Sequence, residues 1–200
     1  MSAPIPTSRP RAKRSQVMAA AIEMWHKYRP GVEMPPMFVV AVRGYYRDTM
    51  GKPGVNDTGM YDDAFFIING GLMTAWNGNT DPSRYGFNPN ADGYMARLRC
   101  GVWTFVRLKH HFSRPDGYMA FGQGDNDVRI DRIELDGDIH NSVSGCFGIN
   151  LHKGGYNGTS SEGCLTVPAE QWDDFNEELA GIIKPLGNKF ALVLVDGPIS

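Results

Sequence analysis

The sequence predicts a mainly β fold with two helices, arranged as a sandwich-like assembly of sheets. Three observations predict it. Glycine supplies 24 of the 200 residues, well above the average of about 7%, which calls for many turns. Short runs of β-branched and aromatic residues recur along the chain, and some alternate apolar with polar. Helical spacing of apolar residues is clear only twice, once near the start and once late in the chain.

Residues 1–14 carry three prolines and four basic residues, and the expectation is a flexible basic tail. Residues 15–200 then form one domain, since no repeat or boundary interrupts them and the length suffices for a real core. Val17, Ala21, Met24, Trp25 and Tyr28 fall at helical spacing, and Pro30-Gly31 ends that helix. Met37 to Val42 and Ala64 to Ile68 read as strands. The polar segment from Arg47 to Asp63 reads as a long loop, and so does Trp76 to Asp92, which is rich in Asn, Gly, Pro and Asp. Long loops in a compact domain are often functional, and here they are expected to wall a groove. Val102, Thr104, Val106 and Leu108 alternate against Trp103, Phe105 and Arg107, a strand pattern. Val128 to Leu135 reads as a strand whose alternation slips near Asp131-Arg132, and Cys146 to Leu151 as a strand delivering His152 to its end. Pro168 suits the first turn of a helix. Trp172, Phe175, Leu179, Ile182 and Ile183 give that helix one apolar face, and the continuous run Phe190 to Val195 reads as a buried strand.

Composition narrows the function. A net charge of −2 provides no large field for nucleic acid. No apolar stretch reaches membrane-spanning length, so no membrane insertion is expected. Three cysteines, Cys100, Cys146 and Cys164, do not look like a disulfide framework. Basic residues precede the apolar stretch Val17 to Ala21, but Glu23, His26 and Lys27 interrupt it at once. No secretion signal is read there.

The chemistry concentrates in Gly148-Ile149-Asn150-Leu151-His152-Lys153-Gly154-Gly155 and Ser160-Ser161-Glu162-Gly163-Cys164. A histidine ends an apolar run, and a cysteine follows it by twelve residues in a small glycine-rich turn. Thiolate is the reactive form of cysteine, and a neighbouring imidazole can take the thiol proton to leave a thiolate–imidazolium pair. Attack on a carbonyl also needs N–H donors for the oxyanion. Gly163, lacking a side chain, lets its own amide and that of Cys164 approach a ligand, with Ser161 adding a hydroxyl or ordering the turn. The histidine needs an acceptor on its other ring nitrogen, for which the carbonyls of Gly154 or Gly155, Asn150 or Glu162 are candidates.

Other polar clusters carry weaker signals. Asp62 and Asp63 are adjacent, so on an extended chain they point to opposite faces and do not serve one bond; they read as a polar strand entrance. His110 and His111 lack the spacing of a zinc site, and no metal or cofactor is assigned. His111 reads instead as lining a groove near the end of the Trp103 strand. Asp125-Asn126-Asp127 fails the register of a calcium loop, because Arg129 follows where a ligand is needed. His140 is a rival base for Cys164, beside Asp138 in a turn. Cys146 is expected to be structural, and nothing marks Cys100 as reactive.

His152-Lys153-Gly154 followed by Ser161-Glu162-Gly163-Cys164-Leu165 resembles the signature of the L,D-transpeptidase catalytic-domain family. The likeness covers about Ile149 to Val167 and extends weakly to Gly101-Val102-Trp103-Thr104-Phe105. Val42 to Tyr46, Tyr61 to Ala64, Asn77 to Ser83 and Thr159 to Cys164 resemble a bacteriophage-encoded branch. The resemblance implies a mostly β cysteine enzyme acting on the stem peptides of bacterial peptidoglycan, with no cofactor. It implies Cys164 as nucleophile, His152 as base, and Gly163 and Ser161 at the oxyanion. His111, Trp103, Tyr156 and Gly154 are then the expected substrate-binding residues. The His–Cys interval is shorter than in the bacterial transpeptidases, and Thr166 stands where those enzymes carry an arginine. Both departures favour hydrolysis, as in an endolysin or lytic phage protein, over crosslinking. With no signal sequence, such a protein is expected to reach the wall by holin-type release or on a phage particle. A papain-like peptidase would place its cysteine first.

Overall fold

The computed structural model describes residues 4–83, 94–111, 113, 115–134 and 137–199. It is mainly β, with two α-helices and eleven strands among the described residues. Helix α1 spans Arg14–Tyr28 and α2 spans Ala169–Ile183. The strands are β1 Met37–Arg43, β2 Asp63–Asn69, β3 Leu72–Gly78, β4 Met95–Leu98, β5 Gly101–His110, β6 Tyr118–Gln123, β7 Val128–Ile133, β8 Ile139–Gly145, β9 Asn150–Lys153, β10 Leu165–Val167 and β11 Lys189–Asp196. Eight strands form one sheet in the order β10-β9-β6-β5-β11-β1-β2-β3, and β4-β7-β8 form a second.

The two ends of the large sheet meet. Asn79, one residue past β3, pairs with Thr166 of β10 through two reciprocal N–H···O bonds of 2.8 Å. That closure covers edges that would otherwise expose unpaired backbone groups, and it brings loops from both ends of the chain to one place.

Strand β1 is buried along its whole length, between β11 (parallel) and β2 (antiparallel). Its unbroken apolar sequence follows, because both of its faces are covered. Val39 and Ala41 join a core with Phe65, Phe105, Phe121, Phe190 and the α2 residues Trp172, Phe175, Leu179 and Ile183. Phe38, Val40 and Val42 join a second core under Val17, Ala21 and Trp25 of α1. Each of these fully buried large side chains contributes about 1.5–3 kcal/mol. Pro168 sits just before the first turn of α2, where its missing N–H costs nothing.

Several predicted elements change. Residues 4–13 are pinned, not a loose tail: Tyr61 N–H donates to the Pro4 carbonyl, Tyr46 Oη and Asn77 Nδ2 donate to the Ser8 carbonyl, and the Arg9 guanidinium lies 3.7 Å over the Trp76 ring. Trp76 and Asn77 belong to a strand, because Gly70 (φ 57°) and Gly71 make the tight β2–β3 hairpin with Asn69 opposite Leu72. The rest of the loop expected up to Asp92 lies outside the described residues from position 84 onward, as does Leu135 at the end of the β7 prediction. Residues 146–149 are not a strand; Ile149 bonds through its carbonyl to Gln123 N–H, and the strand starts at Asn150. No described helix is long and apolar enough to cross a membrane.

Candidate active site

Strands β9 and β10 are neighbours and parallel, with Leu165 opposite Leu151 and Thr166 opposite His152. Leu151, Leu165 and Val167 are fully buried in the core with α2. Side chains alternate along a strand, so Asn150, His152, Cys164 and Thr166 occupy the other face. Register then places Cys164 beside Asn150, one pleat from His152. The Asn150 N–H donates to Cys164 Sγ at 3.3 Å, and Sγ lies 3.9 Å from the Gly148 carbonyl, which accepts from the thiol.

Adjacent parallel strands usually need a crossover of a dozen or more residues. Here residues 154–164 make the return, and glycine makes it possible. Gly154 N–H donates to the Val167 carbonyl at 2.8 Å. A Cβ on Gly154 would collide with the Tyr61 hydroxyl, which itself donates to the Gly155 carbonyl at 2.9 Å. Gly163 has φ of 146° and faces the Ala96 carbonyl, a conformation and a gap that fit glycine alone. Ser161 Oγ accepts the Gly163 N–H at 3.0 Å and donates to the Cys164 carbonyl. Ser83 N–H holds the Ser161 carbonyl at 2.6 Å. The Ser-x-Gly-Cys spacing is thus a turn built around one buried hydroxyl. Of the two roles expected for Ser161, these bonds match the ordering of the turn, and they engage the Gly163 amide that was expected at the oxyanion.

His152 is buried, 6% exposed. Its Nδ1 lies 2.8 Å from the Lys153 carbonyl. A carbonyl only accepts, so Nδ1 carries the proton and Nε2 the lone pair, the tautomer a general base requires. The orienting acceptor is therefore Lys153, in place of Gly154, Gly155, Asn150 or Glu162. The Asn150 side chain donates instead to His110 Nδ1 at 3.3 Å. His110 stacks on His152 with ring centroids 4.4 Å apart, and His111 packs on His110 at 4.0 Å.

Burial lowers the His152 pKa to about 4, with His110 adding to the effect and the Lys153 carbonyl opposing it. Burial likewise pushes the Cys164 thiol up, against the Asn150 N–H. Both shifts favour neutral thiol and neutral imidazole over the thiolate–imidazolium pair.

The remaining candidates divide. His111 is exposed, adopts φ of 52°, and joins the site through His110. Tyr156 is 59% exposed on the return segment. Gly154 is buried beneath Tyr61 and offers no surface to a substrate. Trp103 lies on β5 three residues before Val106, which pairs through Gly122 with Asn150, and its indole N–H donates to the Arg99 carbonyl at 2.9 Å. His140 sits on the small sheet, stacked on Tyr94 at 4.0 Å. Cys146 is exposed and outside any strand, not a buried structural residue. Asp125 accepts the N–H of Thr104 on β5.

Asp62 and Asp63 do diverge as alternation requires, yet both are fully buried. Burial, then neighbouring carboxylates, raise both above the ordinary carboxylate range. Sequence reasoning weighed His110 only beside His111, as a metal ligand or groove residue, and missed two further groups at the site. His110 continues the Val102-to-Leu108 alternation by one step and was legible there. Tyr118, whose hydroxyl accepts the Lys153 N–H at 3.1 Å, and Tyr61 depend on tertiary closure. Compared with known proteins, the chain matches no family model, no curated protein and no solved structure.

Proposed function

We propose that this chain is a cysteine peptidase that hydrolyses stem peptides of bacterial peptidoglycan, of the L,D-transpeptidase-like kind that phages encode as endolysins or particle proteins. One observation carries the chemistry: parallel β9 and β10 set Cys164 against Asn150, with His152 next on the same face and its Nδ1 committed to Lys153. The choice of substrate rests on the motif likeness.

With both groups neutral at rest, His152 Nε2 takes the thiol proton as sulfur attacks the peptide carbonyl. The Cys164 amide is the backbone donor assigned to the oxyanion. Imidazolium then gives its proton to the departing amine, leaving a thioester on Cys164. Water, deprotonated by the same nitrogen, attacks the thioester; the acid leaves and the thiol is restored. Thr166, in the place of an arginine that would hold a second peptide, favours water as acceptor. Tyr156 and His111 stand exposed where a peptide would lie.

The test is digestion of purified peptidoglycan followed by fragment masses. New free termini are expected, and Cys164→Ala should lower their formation by at least about a thousandfold. New crosslinks would instead make it a transpeptidase. Undigested wall would end the peptidase reading and leave a wall-binding or particle protein that keeps the fold; full digestion by Cys164→Ala would end the assignment of the thiol as nucleophile.

A further inference from the structure

We infer that Asn56, Asp62, Asn79 and Asp81 form a calcium site that fastens the 44–62 loop beside the Cys164 turn. Each of these side chains presents an Oδ1 that is buried and accepts no hydrogen bond. Asp62 and Asn79 are 0% exposed and Asp81 1%. The last β2–β3 pair is Asp63 with Gly78, so one further step sets Asp62 opposite Asn79. Asn56 Nδ2 donates to Asp81 Oδ2, which ties the other two together.

In every case the remaining polar atom is spoken for, and an oxygen is what is left. Asp62 Oδ2 accepts the Asp57 N–H at 3.0 Å, and Asn79 Nδ2 donates to the Met60 carbonyl at 3.1 Å. The nearby protein cation is Arg43. Its nitrogens reach Thr80 Oγ1 (3.0 Å), the Thr80 carbonyl (3.0 Å), the Leu98 carbonyl (2.8 Å) and Asp81 Oδ2 (3.5 Å), none of the four Oδ1 atoms. Buried acceptors without donors, held by bonds that fix their orientation, are groups that need an ion or water to satisfy them. Two carboxylates and two amide oxygens, with no nitrogen or sulfur ligand, suit a hard cation. Calcium takes six to eight oxygens in flexible geometry, leaving its other positions to carbonyls or water. The described residues hold no group of three or more His, Cys, Asp or Glu able to bind a metal, which speaks against a zinc-type set and leaves this mixed oxygen set untouched. Adjacent bonds carry the effect toward the nucleophile: Tyr61, next to Asp62, supports Gly155, and Ser83, two residues past Asp81, holds Ser161.

This inference is independent of the peptidase reading, and its test needs no substrate. The full chain, stripped with a chelator, is titrated with calcium by calorimetry and melted in calcium, magnesium or chelator. One calcium per chain is expected, and calcium at about a hundredfold excess over Kd should raise the melting temperature by roughly 5–10 °C. Asp62→Asn, nearly isosteric, should fold and lose that rise; Asp81→Asn is the second variant. Terbium luminescence excited through Tyr61 and quenched by added calcium reads the site in the unaltered protein. Identical melting in calcium and chelator would overturn the inference, because water then satisfies these oxygens. An equal response to magnesium, or a calcium response retained by both variants, would overturn it too.

Discussion

His110 lies flat on His152, with ring centroids 4.4 Å apart and planes 13° from parallel. His111 continues the row outward, so three imidazoles run from solvent to the buried base. A second titratable ring in van der Waals contact makes protonation of the first harder, and His110 is the largest contributor after burial to the low basicity of His152. His110→Phe keeps an aromatic ring in the stack and removes its ionisable group. The His152 midpoint should then move up from about 4 toward the ordinary 6.5, read from its ring protons by NMR across a pH titration. An unmoved midpoint would assign the whole effect to burial.

Ser161 distinguishes a scaffold role from an oxyanion role. Its hydroxyl satisfies the buried Gly163 N–H and the Cys164 carbonyl together. Ser161→Ala strands both, at a cost of about 1–3 kcal/mol. Denaturant unfolding should show that loss, and wall digestion should fall with it because the nucleophile turn loosens. Unchanged stability with a fall in turnover alone would return Ser161 to the oxyanion pocket.

How much of this was legible follows from what each residue answers to. The β1, β5 and β11 strands and both helices obey local periodicity, and the sequence located them. Strands β4, β6 and β8 did not stand out, because their short segments mix small, polar and half-buried residues. Cys164 and His152 were singled out through the chemistry of their spacing, and the pairing of β9 with β10 sets them on one face. Lys153 as orienting acceptor was hidden, since any backbone carbonyl has the same sequence signature. Trp103 was drawn toward the site by its strand, and the structure commits its indole N–H to the Arg99 carbonyl. Asp62 looked like a solvated strand entrance; only the meeting of β3 with β10 and the overlying 44–62 loop bury it.

Tyr61 and Gly154 form a matched pair. The Tyr61 hydroxyl occupies the space where a Gly154 side chain would go and anchors the Gly155 carbonyl. Gly154→Ala forces the ring away and should destabilise by about 1–3 kcal/mol. Tyr61→Phe removes the colliding oxygen along with one hydrogen bond. The double variant should therefore lose less than the sum of the singles, by roughly 0.5–3 kcal/mol in a double-mutant cycle. Simple additivity would mean the two residues do not share this contact.

The low basicity of His152 fixes the sign of a pH effect on stability. Its folded pKa, about 4, lies below the unfolded 6.5. Above pH 6.5 the imidazole is neutral in both states and its burial is not opposed. As pH falls from 6.5 toward 4, the unfolded chain binds a proton that the folded chain refuses, and stability drops by on the order of 3 kcal/mol. Asp62 and Asp63 act in the opposite sense, because burial raises both above the ordinary carboxylate range, so acidification favours the fold through them. The wild-type curve alone mixes the two effects. His152→Gln keeps both aspartates and removes the imidazole, so the difference between the two proteins isolates it. Urea unfolding at pH 4, 5, 6 and 7 should show wild type losing stability relative to His152→Gln below pH 6.5, while the two run parallel above it. Parallel curves throughout would mean that the imidazole titrates freely, with no penalty for charging it in the fold.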